Sequence, residues 1–229
     1  MDKESLQRTQ LRWQKHFRII PSKYPPINFF ENLIDSDMMD EVYFIESLTN
    51  DRLRDEVGDI SLVKKEDRIS GAGSSYVMAA FTHPMSSRFS DGTFGIYYAS
   101  KDMETAIKET VYHTENFLRF TQEPSGAHTK RVLQGKRFLN KLIDIRDKKY
   151  QALHHANDLM TSRDFGADLK LQNESGILYH SVRHEGGLNV AILRPNIIEL
   201  PVVQTRHLEY LWNGKKITHY LELGEAVPL

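Results

Sequence analysis

The 229-residue chain has no cysteine, which excludes disulfides, a thiolate nucleophile and cysteine-ligated zinc, and suits a reducing compartment. It also lacks an excess of either charge. Thirty basic and thirty-one acidic residues leave a formal net charge of −1, so no global field draws the protein to nucleic acid or anionic lipid, and an anionic ligand must be met by a local site. Runs of about 18 uncharged apolar residues are missing, and Met1 to Phe17 is polar, with no stretch of signal-peptide length. A soluble, cytoplasmic protein that neither crosses nor coats a membrane is expected. Internal repeats, low-complexity tracts and long flexible linkers are missing too. What is present is 40% hydrophobic residues in a length that suits one domain, so stability must come from packing.

Leu6, Trp13 and Phe17 stand among polar residues in a weak amphipathic pattern, read as an N-terminal arm over residues 1–17. Residues 18–229 are expected to form a single domain. Pro21, Pro25 and Pro26 make an extended connector, because proline lacks the amide proton and restricts the residue before it. Leu33 to Leu48 is compatible with a helix capped by Ser36 or Asp37 and with a strand through Val42, Phe44 and Ile45. Gly71 to Ser75 reads as a turn, since it lacks the lysine of a phosphate-binding loop. Asp91-Gly92 predicts a hairpin, with Arg88 on its first strand and Phe94 to Ala99 as its second. Ser100-Lys101-Asp102 then offers caps for a helix of about four turns, in which Met103, Ala106, Ile107, Thr110, Val111 and Thr114 recur at helical spacing. Gln122 to Gly126 reads as a loop, and Val132 to Leu171 is expected to add helices. Ile177 to Arg183, a turn at His184 to Gly187, and Leu188 to Leu193 predict a second hairpin. Asn213-Gly214 predicts a third within Ile198 to Leu223.

Side chains that could do chemistry gather around the first hairpin. Arg88 lies opposite the strand carrying Tyr97 and Tyr98, and Glu109 sits two turns into the helix at the margin of its apolar stripe. Gly95 leaves room for a ligand or a close backbone approach. On the later strand, period-two alternation puts Ile177, Tyr179, Ser181 and Arg183 on one face. Singly, each has an ordinary explanation: a surface ion pair for Arg88, strand packing for the tyrosines, a solvated helix position for Glu109, a half-exposed strand for Ser181. Together they suit cleavage of the nicotinamide–ribose bond of a dinucleotide. The leaving group is already cationic and needs no general acid, while a carboxylate stabilises the oxocarbenium charge that develops only in the transition state. An arginine fork meets two phosphate oxygens, and a tyrosine ring stacks on a flat heterocycle. The ten histidines do not make a metal site. Adjacent residues such as His154 and His155 diverge by roughly 100° in a helix, and no carboxylate–histidine spacing typical of catalytic zinc is present. His83, just before the hairpin, reads equally as a cleft or a surface-loop residue.

These blocks resemble the RES domain, named for its arginine, glutamate and serine. The matching stretches are Ser87-Arg88-Phe89-Ser90, Thr105-Ala106-Ile107-Lys108-Glu109-Thr110, and Gly176 to Arg183 continuing through Gly186-Gly187 into Asn189 to Pro195. Arg18 to Pro26 is similar to the start of longer members. Spacing matches Tyr98 to the family's ring-stacking tyrosine, whereas a strict two-residue turn would put Tyr97 on the face of Arg88. Many members carry Arg-Trp-Asn where this chain has Arg88-Phe89-Ser90. The resemblance implies an α+β fold with a central split antiparallel sheet flanked by helices, similar to the ADP-ribosyltransferase fold. It implies NAD as substrate, catalytic Arg88, Glu109 and Ser181, and NAD contacts from Arg88, Ser90, Tyr97, Tyr98, Ser181 and Arg183. It implies a toxin that depletes NAD by passing ADP-ribose to water or phosphate, and an Xre-type antitoxin as partner. A homodimer remains open. The alternatives are a mono-ADP-ribosyltransferase acting on a protein and a non-catalytic module that binds a nucleotide or the antitoxin.

Overall fold

A computed structural model describes residues 6–22, Glu31 and residues 58–224. The Leu33–Leu48 stretch, Pro25 and Pro26 lie outside the described residues. The strands are β1 (Arg8–Thr9), β2 (His16–Pro21), β3 (Tyr97–Ser100), β4 (Gly126–Gly135), β5 (Leu142–Asp144), β6 (Gly176–His180), β7 (Leu188–Ile192), β8 (Val203–Trp212) and β9 (Ile217–Leu223). They form one sheet in the order β1-β5-β6-β7-β3-β2-β4-β8-β9, antiparallel except where β5 meets β6. Among the described residues three α-helices flank it: α1 (Ser74–Thr82), α2 (Met103–Phe120) and α3 (Met160–Leu171), with a 3-10 segment at Lys148–His154. This is the expected α+β architecture with a central antiparallel sheet.

The sheet is nearly divided in the middle. β3 pairs with β7 from Tyr97–Ile192 to Ser100–Asn189 but meets β2 at a single pair, Phe17 with Ser100. One face is a continuous core, in which Tyr97, Leu178, Val190 and Ile192 pack against Val77, Met78 and Phe81 of α1. The other face holds two clusters, one on each half. Ile177, Tyr179 and Ala191 pack with Phe89, Leu153 and Phe165, while Ile19, Val132, Leu208 and Tyr210 pack under Ala106 and Ile107 of α2. Burying side chains of this size contributes about 1.5–3 kcal/mol each, so each half has its own anchor and the junction can carry polar groups.

Local signals placed several elements well. The Asp102 carboxylate accepts from the Thr105 amide at 2.8 Å and starts α2, as capping predicts. Gly186 has φ +75° in the turn between β6 and β7, and Gly214 has φ +88° between β8 and β9, where Asn213 Oδ1 also accepts from the amides of Lys215 and Lys216.

Elsewhere tertiary context overrides the pattern. Asp91-Gly92 makes no hairpin. One edge of β3 is taken by β7, and on the other side Arg18 Nη1 donates to the Tyr98 carbonyl at 2.9 Å, leaving no edge for a strand through Arg88. The segment closes as a loop instead, with Ser90 Oγ donating to the Phe94 carbonyl and accepting from the Gly92 amide, and Asp91 capping Thr93. The run Tyr76 to Thr82 before it belongs to α1. The residues read as an arm take part in the sheet: Arg8–Thr9 pairs with Leu142–Ile143, and Leu6 and Leu11 are buried. Within the region expected to be helical from Val132, β4 and β5 come before the helices. Lys130 to Leu133 is buried without alternation between β2 and β8, so two basic residues conceal an interior strand.

Candidate active site

Glu109 reaches from α2, which packs on one half of the sheet, to β6 and β7 on the other. Its Oε1 accepts from Ser181 Oγ and from Asn189 Nδ2, both at 2.7 Å. Ser181 follows β6, its amide bonded to the Gly187 carbonyl at 2.9 Å. Its Oγ in turn accepts from the amides of Arg183 (3.1 Å) and His184 (2.9 Å). The turn docks on the start of α2 through His184 Nδ1 and Thr105 Oγ1, 2.9 Å apart. Glycine at 187 matters here, because a methyl group would lie 2.8 Å from the Thr105 side chain.

Arg88 comes from the loop before β3. Phe89, with no exposed surface, anchors the loop and packs edge-on against Tyr179 with ring centroids 5.1 Å apart. The Tyr98 hydroxyl accepts from the Phe89 amide at 3.1 Å and shares a hydrogen bond with Ser87 Oγ at 2.9 Å. From α3, Ser162 Oγ donates to the Arg88 carbonyl (2.7 Å) and Arg163 Nε to the Ser87 carbonyl (3.0 Å). Arg88 Nη1 donates to the carbonyls of Leu153 and His155, which turns the guanidinium along the 3-10 segment.

The charges of these groups meet. The Tyr179 phenol is pushed well up by burial, then by the Glu109 carboxylate and Tyr98, with Arg88 and Asn189 pulling the other way. His113, one turn beyond Glu109, has an exposed edge but is enclosed enough on its inner side for desolvation to lower its pKa. Glu109 raises it, and Arg183 and Arg88 lower it further. Arg183 stacks over Tyr112, with its guanidinium carbon 3.3 Å from the ring centroid, and donates to the Ala156 carbonyl at 2.8 Å. Arg88, Tyr98, Glu109, Ser181 and Arg183 thus line one region where the halves of the sheet meet.

Two expected contacts point elsewhere. Tyr97 is fully buried on the opposite face, its hydroxyl 3.0 Å from His16 Nε2, because neighbouring residues of a strand face opposite ways. Ser90 is 1% exposed and spends its hydroxyl on its own loop. Gly95 serves a backbone approach: a Cβ there would overlap the Ala80 carbonyl oxygen at the end of α1. His154 and His155 diverge, His154 Nδ1 bonding to the Tyr150 carbonyl while His155 Nδ1 accepts from the amides of Asn157 and Asp158.

Sequence reasoning passed over Asn189, Tyr179 and Arg18. Asn189 is 3% exposed and is the one polar residue of Leu188–Ile192, a signal that was there to be read. Arg18 lies similarly among Phe17, Ile19 and Ile20. Its guanidinium packs 4.8 Å from the Tyr97 centroid, spans the gap to β3, and keeps a buried Nε without a hydrogen-bond partner.

The model of the RES domain family matches residues 65–213, a span that holds Arg88, Tyr98, Glu109, Ser181 and Asn189. A protein of Sinorhizobium fredii (strain NBRC 101917 / NGR234), described as uncharacterized protein y4oC, is 28% identical over 215 residues, covering 92% of this chain and 88% of that protein. Among solved structures, a crystal structure of the M. tuberculosis MbcT-MbcA toxin-antitoxin complex aligns at 7% identity with a TM-score of 0.44, covering 94% of this chain and 87% of that one.

Proposed function

The chain belongs to the RES domain family, and from that premise we propose that it cleaves the bond between nicotinamide and ribose in NAD. The observation that carries this reading is the placing of Glu109. A carboxylate from a helix on one half of the sheet is held by two hydrogen bonds to the other half, beside an arginine and a half-buried tyrosine. Its Oε2 makes no hydrogen bond among the described residues, so one oxygen is available to the sugar carbon that loses its base. Nicotinamide departs as a neutral group from a cationic one, so no acid is required. The barrier falls when negative charge lies beside the forming oxocarbenium ion. Arg88, engaged among the described residues through Nη1 alone, has Nε and Nη2 for the pyrophosphate, and the Tyr98 ring offers a surface for nicotinamide. Arg183 adds positive charge for the phosphates or an anionic acceptor.

ADP-ribose then passes to water or phosphate, which makes the protein toxin-like through loss of NAD, and an Xre-type antitoxin covering the cleft is the partner this reading entails. The test is nicotinamide release from NAD, followed by chromatography with and without inorganic phosphate, for the wild type and Glu109→Gln. The substitution should reduce turnover about 10²–10³-fold, the usual weight of one preorganised electrostatic group, with the fold unchanged. A Glu109→Gln protein releasing nicotinamide at the wild-type rate overturns the reading. Radiolabel from NAD retained on protein would instead mark a transferase.

A further inference from the structure

The Glu109 carboxylate is held more specifically than a helix residue at the junction of the two sheet halves requires. Both of its hydrogen bonds fall on Oε1, one from Ser181 and one from Asn189. Because an ionised carboxylate only accepts, the amide of Asn189 must present Nδ2 to Glu109 and Oδ1 to the other side. On that side Ser100 Oγ donates to Oδ1 at 2.7 Å. Ser100 is 4% exposed and Asn189 3% exposed, and the two face each other as a register pair of β3 and β7. A hydroxyl buried in the sheet thereby anchors the far end of the amide and holds Nδ2 against the carboxylate. Ser181 is committed in the same direction. Its lone pairs take the amides of Arg183 and His184, so its one proton has Glu109 as its acceptor.

We propose that Ser100 and Asn189 form a positioning relay that, with Ser181, pins Oε1 of Glu109 and leaves Oε2 as the oxygen presented to substrate. This rests on Glu109 acting in NAD cleavage. In this arrangement Asn189 and Ser100 touch no substrate, and Ser181 acts on the carboxylate. The titratable neighbours of the carboxylate are His113 on α2 and Tyr179 on β6, and Arg183 from the following turn and Arg88 from its loop act on the same two groups. Ser100→Ala removes the anchor of Oδ1 and loosens the amide that holds Glu109. Asn189→Asp places a second carboxylate against the first.

The experiment follows nicotinamide release against pH and NAD concentration for the wild type, Ser100→Ala, Asn189→Asp and Glu109→Gln, together with the carbon-13 titration of the Glu109 carboxyl, assigned by its absence from Glu109→Gln. In Ser100→Ala, kcat should fall about tenfold with KM within twofold of wild type, since the affected group acts through charge and orientation. In both relay variants the acidic limb and the Glu109 titration should move to higher pH, by about one unit or more in Asn189→Asp, as for paired carboxylates. An unmoved Glu109 titration in both folded variants, with Glu109→Gln inactive, overturns the relay and leaves the enzymatic reading standing. Wild-type turnover in Glu109→Gln overturns both. If Asn189→Asp fails to fold, Ser100→Ala alone decides by the same two readouts.

Discussion

Glycine in the middle of a helix is ordinarily a weakness, and replacing it with alanine stabilises an exposed helix by about 1 kcal/mol. Gly166 lies inside α3, yet Gly166→Ala should have the opposite effect. A Cβ at this position would sit 2.8 Å from both the carbonyl carbon and the Cβ of Phe89, and would overlap the Phe89 oxygen outright. Ordinary carbon–carbon contact needs about 3.5–4.0 Å, so helix and loop must part by roughly 1 Å. Neither side yields easily. Phe89 has no exposed surface, Phe165 and Leu169 of α3 are buried in the same cluster, and Ser162 Oγ ties the helix to the Arg88 carbonyl. Overpacking of this kind costs about 1–3 kcal/mol, which exceeds or matches the propensity gain. The expected outcome is a net loss of up to about 2 kcal/mol, read by urea denaturation, and a fall in Tm of up to about 8 °C for a chain of this size. The functional effect should be larger than the loss of stability suggests. The displaced segment carries Arg88, and a 1 Å misplacement can reduce turnover about 10²-fold. Gly224→Ala, with nothing within 4 Å of the added methyl, is the control and should be silent. A Gly166→Ala protein as stable and as active as the wild type would refute the idea that close approach of α3 sets the position of Arg88.

Three further outcomes follow from the same geometry. Burial pushes the His16 imidazole down to about 4, so the unfolded chain takes up a proton below about 6.5 while the folded protein stays neutral to about 4, and stability is lost as pH falls through that window. Urea melts at pH 7 and pH 4.5 should show the wild type losing about 2–3 kcal/mol more than His16→Gln, and equal losses would remove His16 as the cause. Tyr98→Phe keeps the ring but strands the Phe89 amide, costing about 1–3 kcal/mol by calorimetry while preserving most NAD affinity, whereas Tyr98→Leu should lose affinity as well; equal KM values in the two variants would exclude ring stacking. Asp102→Ala removes the cap of α2 and should lower stability by about 1 kcal/mol in denaturant melts, a prediction that fails if the midpoint is unchanged.

The site shows where sequence reasoning succeeds and where it stops. Glu109 and Ser181 could be singled out by motif because a capped amphipathic helix and a turn before Gly187 are local objects. Asn189 was visible as a polar interruption in an apolar strand, but its meaning depended on which side chain of α2 stood over it. The choice between Tyr97 and Tyr98 needed the identity of both neighbours of β3, and the hairpin that would have decided it does not form.

From its own order of residues the chain determines what near neighbours can enforce: the start of α2 at Asp102, the turns at Gly186 and Gly214, and the alternation of Ile177, Leu178 and Tyr179 across a strand. Tertiary structure alone decides which edges are already occupied and which face meets the Glu109 carboxylate. β7 and Arg18 claim the two sides of β3, so the Arg88 segment becomes a loop pinned by Tyr98, and Lys130 and Arg131 are carried into the sheet between β2 and β8. The physical reason is range. Capping and turn chemistry act over a few residues of chain, whereas strand pairing and desolvation depend on groups tens of residues away.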